Sequence, residues 1–234
     1  MNLFYNPLIE GDTFDLDEKE SRHVVRVLRM VPGDKVILVD GKGGWYEGIV
    51  EKSDPRRCRI KIHSHTPDYQ PLPFDLHVAI SPTKSMERFE WFLEKATEIG
   101  ITEITPLLCH RTERKQLNPA RLERIIISAM KQSMRAYKPF LNEPEKIADF
   151  LSHDYSGTLG IAHCMPSSRT GITDLEFSEK NVLMVGPEGD FTGEEVDMAI
   201  NAGYQPFHLG NSRLRTETAG IYLATAVQIL SCKQ

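Results

Sequence analysis

The residues of this chain whose types and spacing suit chemistry crowd toward its C-terminal end. Residues 182–185 form a short apolar run that stops at Gly186, Pro187, Glu188 and Gly189, and a second strand-like piece at Phe207, His208 and Leu209 ends at Gly210. In an α/β sheet, small ligands bind in the crevice beyond the carboxyl ends of the strands, and glycine there lets bare backbone approach a flat or charged group. Two glycine-bearing loops after two strand ends mark a candidate cofactor pocket, although the same glycines would serve tight turns. Side chains able to handle charge stand around them. Arg215 presents a permanently charged planar fork, suited to stabilising or positioning an anion or to an ion pair with a neighbouring carboxylate. Glu188 and Glu217 can accept hydrogen bonds from a ligand or act as a general base, and Glu217 can equally cap a helix start. His163 and His208 lie near strand ends, where a hydrogen-bonded structural role is the alternative to an acid–base one.

Positioning these groups requires a scaffold, and residues 74–234 supply its pattern. Strands are expected at 74–80, 104–108, 158–162 and 182–185. Between them, residues 85–99 read as a helix with Met86, Phe89, Leu93 and Ala96 on one stripe and Gly100 as its stop. Asn118 and Pro119 give an N-cap and first-turn proline to a helix carrying Leu122, Ile125, Ile126, Ala129 and Met130. A short helix ends near residues 148–151. Thr192 opens another, with Glu195 at capping-box spacing and Val196 and Ala199 on one face. The last helix covers 216–230. Such alternation means a mostly parallel sheet with helices on both faces.

Residues 1–70 read differently. Short segments at 35–39, 45–50 and 58–62 are separated by Asp40-Gly41, Gly43-Gly44 and Asp54-Pro55, which are hairpin and turn signals and suggest a small β-barrel, for which pattern alone allows an OB-like form. One helix interrupts it, from near Asp17 to Met30 before Pro32-Gly33. On that helix Arg22, Arg26 and Arg29 fall at i, i+4 and i+7, with Val24, Val27 and Leu28 opposite, so the helix is expected to dock that apolar face on the barrel and offer three guanidinium groups to phosphates or simply to solvent. Three prolines within residues 65–73 mark the boundary between domains at 1–70 and 74–234.

Composition narrows the class. The formal charge is −5, but eight Lys/Arg face two acids within 111–138, whereas twelve acids face three cations within 141–200. Segregation of this kind can still present a basic surface to a phosphate backbone. No segment reads as membrane-spanning or as a signal peptide, so a cytoplasmic protein with no membrane partner is expected. Cys58, Cys109, Cys164 and Cys232 are widely spaced without a C-x-x-C pair, which argues against a disulfide framework and against bound metal. Neither a G-x-G-x-x-G after the first strand nor a G-x-x-x-x-G-K-[ST] is present, so a dinucleotide dehydrogenase and a P-loop NTPase find no support.

Two stretches carry a family resemblance. GPEGDFT, residues 186–192, resembles the GPEGG-F motif, and LGNSRLRTETA, residues 209–219, resembles the LG-x-x-ILR-x-ETA motif of the RsmE family of SPOUT-class ribosomal RNA methyltransferases; HVVRVLRM, MERFEWFLEKATEIG and ARLERIIISAMKQSMR extend the likeness over nearly the whole chain. Asp190 stands where that pattern usually has a second glycine, and Arg213 where it usually has isoleucine. The resemblance implies a trefoil-knotted SPOUT α/β methyltransferase domain preceded by a PUA-like, RNA-binding β-barrel. It implies S-adenosyl-L-methionine as cofactor, held by Gly186, Pro187, Glu188, Gly189, Leu209, Gly210, Leu214, Arg215, Glu217, Thr218 and Ala219. The expected substrate is N3 of a uridine in small-subunit (16S) ribosomal RNA, free or in the assembled subunit, with Arg215 as the catalytic candidate that stabilises the uracil anion. A homodimer through the last helix is also implied, and the apolar run of Ile221, Leu223, Ala226, Val227 and Leu230 suits that interface or an intrachain core. A non-catalytic RNA-binding protein with a degenerate α/β domain is the alternative.

Overall fold

The computed structural model describes residues 3–165 and 170–231. The chain divides into two compact units, Met1–Pro71 with Met130–Lys138, and Leu72–Ala129 with Pro139–Gln234.

In the first unit, β1 (Leu3–Tyr5), β2 (Thr13–Asp15), β3 (Lys35–Val39), β4 (Trp45–Lys52) and β5 (Arg59–Thr66) form a curled sheet in the order β1-β3-β4-β5-β2. β1 runs parallel to β3 and the other pairs are antiparallel. The curl has a local cause. Register breaks between Glu47 and Gly48 and between Val50 and Lys52 put irregularities into the β4–β5 ladder, and such irregularities bend and twist a strand. Gly48 must be glycine there, because a Cβ would lie 2.7 Å from the Lys61 carbonyl oxygen. Phe4, Val36, Leu38, Val50 and Ile60 fill the interior. Residues 130–138 add Met130 and Ala136 to a second cluster with Ile37, Val39 and Trp45, held by hydrogen bonds from Gly43 N–H to Ala136 O at 3.1 Å and from Lys138 N–H to Gly41 O at 2.9 Å.

The helix expected over residues 17–30 is shorter and wound differently. Asp17 caps it, accepting the Glu20 N–H at 2.8 Å, but α1 covers only Glu18–Arg22 before the chain widens into a π-helical turn, His23–Val27. The arginine stripe is lost in consequence. Arg29 sits beyond the turn in the left-handed region at φ +54°, and Val27, expected on the docked face, is 66% exposed while Val24 and Val25 reach the core.

The second unit contains β6 (Asp75–Ile80), α2 (Met86–Ile99), β7 (Glu103–Leu108), α3 (Pro119–Gln132, whose last turn belongs to the first unit), β8 (Phe140–Leu141), β9 (Glu145–Lys146), α4 (Ile147–Phe150), β10 (Thr158–Ala162), β11 (Thr170–Gly171), β12 (Lys180–Val185), α5 (Gly193–Asn201), β13 (Gln205–His208) and α6 (Thr216–Ser231). The strands pair in parallel in the order β11-β13-β10-β12-β6-β7-β8, with β9 also on β7. Alternation along the central strands separates two cores. Leu76, Val78 and Ile80 of β6 and Leu183 and Val185 of β12 pack with Phe89, Phe92, Leu122, Ile126, Leu223 and Val227 from α2, α3 and α6. Ala79, Val182 and Met184 face the other way, toward Ile147 and Phe150 of α4 and Val196 and Ala199 of α5. Leu223 and Val227, candidates for a subunit interface, thus belong to the intrachain core. Gly220 brings α6 close, since a Cβ there would fall 2.6 Å from the Phe92 ring and 2.8 Å from Ile80 Cδ1. Among the described residues no helix is long and apolar enough to cross a membrane.

One surface cluster in the first unit has a pH signature. Asp15 accepts from Arg57 Nε at 2.7 Å and from Arg59 Nε at 2.7 Å and Nη2 at 3.0 Å. The Arg59 hydrogen bond, outweighing the opposing effect of burial, holds its carboxyl below the usual value. A carboxylate whose folded pKa is depressed contributes stability above its unfolded pKa of about 3.9, and this is lost as pH falls through the folded value. Asp15→Asn is therefore expected to lower the melting temperature at neutral pH, with the gap from the parent chain closing as melts are taken below about pH 3.9.

Candidate functional site

The exits of β10, β12 and β13 and the first turn of α6 enclose a cavity of about 290 Å³ in the second unit. Ala162, His163 and Cys164 come from the first exit, residues 185–188 and Asp190 from the second, His208 to Gly210 and residues 212–215 from the third, and Thr216 and Ala219 from α6. The volume is at the lower end of the range for small-molecule pockets, about 300 Å³ and upward.

Of the residues expected to hold a cofactor, Gly186, Pro187, Glu188, Leu209, Gly210, Leu214, Arg215 and Ala219 line this cavity, whereas Gly189, Glu217 and Thr218 do not. Helical geometry separates the α6 residues. Thr216 and Ala219 are three apart and share the face toward the cavity, while Glu217 is rotated toward α2, buried, with Oε1 3.8 Å from Arg88 Nε. Thr218 points to solvent. Ala162, Cys164 and Ser212 were not anticipated. The one signal for the first two was the apolar run at 158–162 ending at His163, which marks a strand exit without saying which other exits it stands beside.

The glycines do different work from one another. A Cβ on Gly186 would come 3.0 Å from the Phe191 ring, and one on Gly189 would come 3.1 Å from Arg111 Cδ, so protein side chains occupy the space that these two leave. Gly210 has open space around it but a φ of +108°, so its glycine is demanded by the backbone.

Hydrogen bonds between strand exits hold the walls in place. Thr216 Oγ1 donates to Gly186 O at 3.0 Å, and Glu188 Oε1 accepts the Lys84 N–H at 2.9 Å. Asp190, at φ +63°, accepts the Cys164 N–H with Oδ2 and the Phe191 N–H with Oδ1, both at 2.9 Å. Asp at that left-handed position is tolerable because its side chain bonds locally. The capping box of α5 forms as expected between Thr192 and Glu195, and Glu195 Oε1 also accepts the His110 N–H at 2.7 Å. His208 Nδ1 accepts the Gly210 N–H at 3.1 Å, so the neutral ring carries its proton on Nε2 and braces the turn.

Apolar surface from Ala162, Val185, Leu209, Leu214 and Ala219 meets two carboxylates, Glu188 and Asp190, and two guanidinium groups, Arg213 and Arg215. Neither guanidinium group has an ion-pair or hydrogen-bond partner among the described residues, which leaves the ion-pair alternative for Arg215 without a partner. An apolar slot rimmed by both signs of charge suits a small amphipathic ligand with a flat ring and a zwitterionic end.

In the first unit, Arg22 and Arg26 line a surface groove with His23, Val27 and Lys131, and Arg29 lies outside it. Arg22 is paired with Glu18, and Lys131 with Glu20 at 2.9 Å. Cys58, Cys109 and Cys164 are free thiols, and burial, followed by the Glu195 charge, pushes the Cys109 thiol up. Cys232 lies outside the described residues. Among those residues no cluster of three or more His, Cys, Asp or Glu side chains is placed to hold a metal ion.

Comparison with known proteins places this geometry. Residues 70–228 match the model of an RNA methyltransferase domain, and residues 16–62 that of an RNA methyltransferase PUA domain. The chain is 29% identical over 217 residues to ribosomal RNA small subunit methyltransferase E of Synechocystis, covering 88% of this chain and 70% of that protein. Among solved structures it is similar to a probable rRNA-methyltransferase from Porphyromonas gingivalis, with a TM-score of 0.93, 36% identity and full coverage of both chains. It is also similar to the ribosomal RNA small subunit methyltransferase E of Neisseria gonorrhoeae bound to S-adenosyl methionine, with a TM-score of 0.88, 30% identity and 98% of each chain covered.

Proposed function

From a chain that belongs to the RNA methyltransferase family, with a PUA-like unit before a SPOUT-class α/β unit, we infer an S-adenosylmethionine-dependent enzyme that methylates N3 of a uridine in small-subunit ribosomal RNA. The observation that carries this reading is the cavity itself: the GPEGD and LGNSRLRTETA stretches converge on one apolar slot with mixed charge at its rim.

Bound there, S-adenosylmethionine supplies a methyl group that is already electrophilic. The chain's own task is to hold donor and acceptor in line and dry, which in well-oriented cases is worth roughly 7–11 kcal/mol. The acceptor sets the remaining demand, because uracil N3 carries a proton at neutral pH and becomes nucleophilic only as the anion. Glu188, Asp190 and His208 each brace a backbone N–H group, and we assign this task to the cations of the rim. Arg215, with Arg213 beside it, stabilises the developing uracil anion while its proton leaves to solvent. The test is methyl transfer from tritiated S-adenosylmethionine to undermodified small subunits, followed by nucleoside analysis. Label should appear in 3-methyluridine, and Arg215→Ala should lower kcat by about two to three orders of magnitude while weakening cofactor binding much less. Absence of label with intact cofactor binding would favour the non-catalytic RNA-binding alternative.

Substrate RNA is gripped in part by the first unit, acting in the cytoplasm where ribosomal subunits are found. Because Arg22 is paired and Arg29 lies off the groove, Arg26 is the phosphate contact best supported by the geometry. Arg26→Ala should leave cofactor affinity intact and reduce the slope of log K against log salt by about one contact's worth, roughly 0.7–0.9. An unchanged slope would move the RNA surface to the basic 111–138 stretch.

The enzyme works as a homodimer, with the exposed face of α6 as the contact. Tyr222 and Ile229 are 48% and 52% exposed, unlike Leu223 and Val227, which are buried within the chain. Sedimentation should show a species of twice 26.6 kDa, converted to monomer by Ile229→Glu with the melting temperature little changed. A parent chain that sediments as a monomer at micromolar concentration refutes the interface.

A further inference from the structure

One of the contacts that fix the loop after β12 comes from a residue outside the cavity lining. Arg111, in the loop after β7, donates from Nη1 to the carbonyl oxygens of Gly189 at 2.6 Å and Phe191 at 3.3 Å. The stem of the same side chain fills the space beside Gly189, where a Cβ would lie 3.1 Å from its Cδ and 3.4 Å from its Cβ. A side chain at position 189 would therefore press on the Arg111 stem. The guanidinium is exposed, and its Nε and Nη2 hydrogens have no acceptor among the described residues. One edge of a permanently charged plane therefore grips the loop while the other edge is open, and an open guanidinium edge takes a phosphate through two parallel hydrogen bonds.

The surroundings favour an anion at that edge. Arg114 and Lys115 are exposed on the same loop, and its one acid, Glu113, is paired with Lys84 Nζ at 2.9 Å. Arg114 Nε donates to Lys84 O at 3.0 Å, and Lys84 N–H in turn donates to Glu188 at 2.9 Å, so this cationic stretch is tied to the loop after β12 at a second point.

We propose that Arg111 is a positioning residue that couples a phosphodiester of the substrate RNA to the cofactor loop: phosphate on its open edge fixes the plane that holds the Gly189 and Phe191 carbonyls. The proposal rests on the reading of the cavity as the S-adenosylmethionine site. Bound phosphate stiffens the guanidinium and with it the loop, so RNA tightens cofactor binding and cofactor tightens RNA binding by the same factor.

The probe is S-adenosylhomocysteine, titrated by calorimetry into the full chain with and without undermodified small subunits. In the parent chain the subunits should tighten its binding. Arg111→Ala should weaken it about tenfold, the worth of a charge-assisted hydrogen bond, and abolish the dependence on RNA. Arg111→Lys keeps the charge but not the planar fork, so the salt slope of RNA binding should survive while cofactor affinity is not restored. Gly189→Ala retains the arginine and displaces its stem, and should reproduce the loss of affinity. Amide hydrogen exchange in the ligand-free protein gives a readout independent of turnover, with residues 186–191 exchanging faster in both Arg111→Ala and Gly189→Ala. Parent-like affinity, RNA dependence and exchange in Arg111→Ala overturn the coupling alone, as does an Arg111→Lys chain equal to the parent in every measurement. A parent chain that binds no S-adenosylhomocysteine overturns the cofactor reading and this proposal with it.

Discussion

A parallel sheet covered by helices on both faces hides the side chains of its central strands, so it can meet a ligand only at its strand ends. Here β6 and β12 spend every apolar residue on one core or the other. What remains is the set of loops that leave the strands, and a loop leaving a buried strand must find partners for its polar groups. The loop after β12 finds them on its neighbours: Glu188 on the Lys84 N–H, Asp190 on the Cys164 N–H, Gly186 O on the Thr216 hydroxyl and two further carbonyls on Arg111. Regular secondary structure therefore does not make the cavity wall rigid. Cross-links between strand exits do, and those exits come within reach of one another only because of the strand order.

The last helix completes the site for a packing reason. Gly220 lets α6 settle against Phe92 and Ile80, and this seating turns Thr216 and Ala219 to the cavity and Glu217 toward α2. Glu217 is an acid in the first turn of a helix, where the dipole favours negative charge, and the Arg88 guanidinium is near its buried carboxylate. Its Oε2 is nonetheless buried without a hydrogen-bond partner among the described residues. Its neighbour Arg215, just before the helix, is the one left uncommitted.

Charge follows the same division. A net charge of −5 says little about RNA, because the acids are concentrated in 141–200 and the cations elsewhere. What matters is which cations are already neutralised. Arg57 and Arg59 are held by Asp15, Arg121 by Glu90, and Lys131 by Glu20. Arg213, Arg215 and one edge of Arg111 are not, and all three belong to the unit that carries the cavity. Unpaired guanidinium groups beside an apolar slot form the arrangement expected where a phosphate backbone must be held near a small ligand.

The sequence by itself determined the features set within a turn or two of the chain. The stripe of Phe89, Leu93 and Ala96, the stop at Gly100, the Asn118-Pro119 start, the Thr192–Glu195 capping box and the strand end at residue 185 all follow from period, caps and glycine, which act between near neighbours, and the second strand ends at His208, one residue before the expected Leu209. Tertiary structure decided the rest. β1, β2, β8, β9 and β11 are at most three residues long, too short for any periodicity, and exist because a longer strand offers them a ladder. The π-turn at His23–Val27 took the arginine stripe away, and the docking of residues 130–138 into the first unit joined segments far apart in the chain. Most telling are the motif glycines, whose positions were legible but whose reasons were not. Gly186 yields to Phe191, Gly189 to Arg111 and Gly210 to its own φ, because what a missing Cβ makes room for depends on whatever the fold brings beside it.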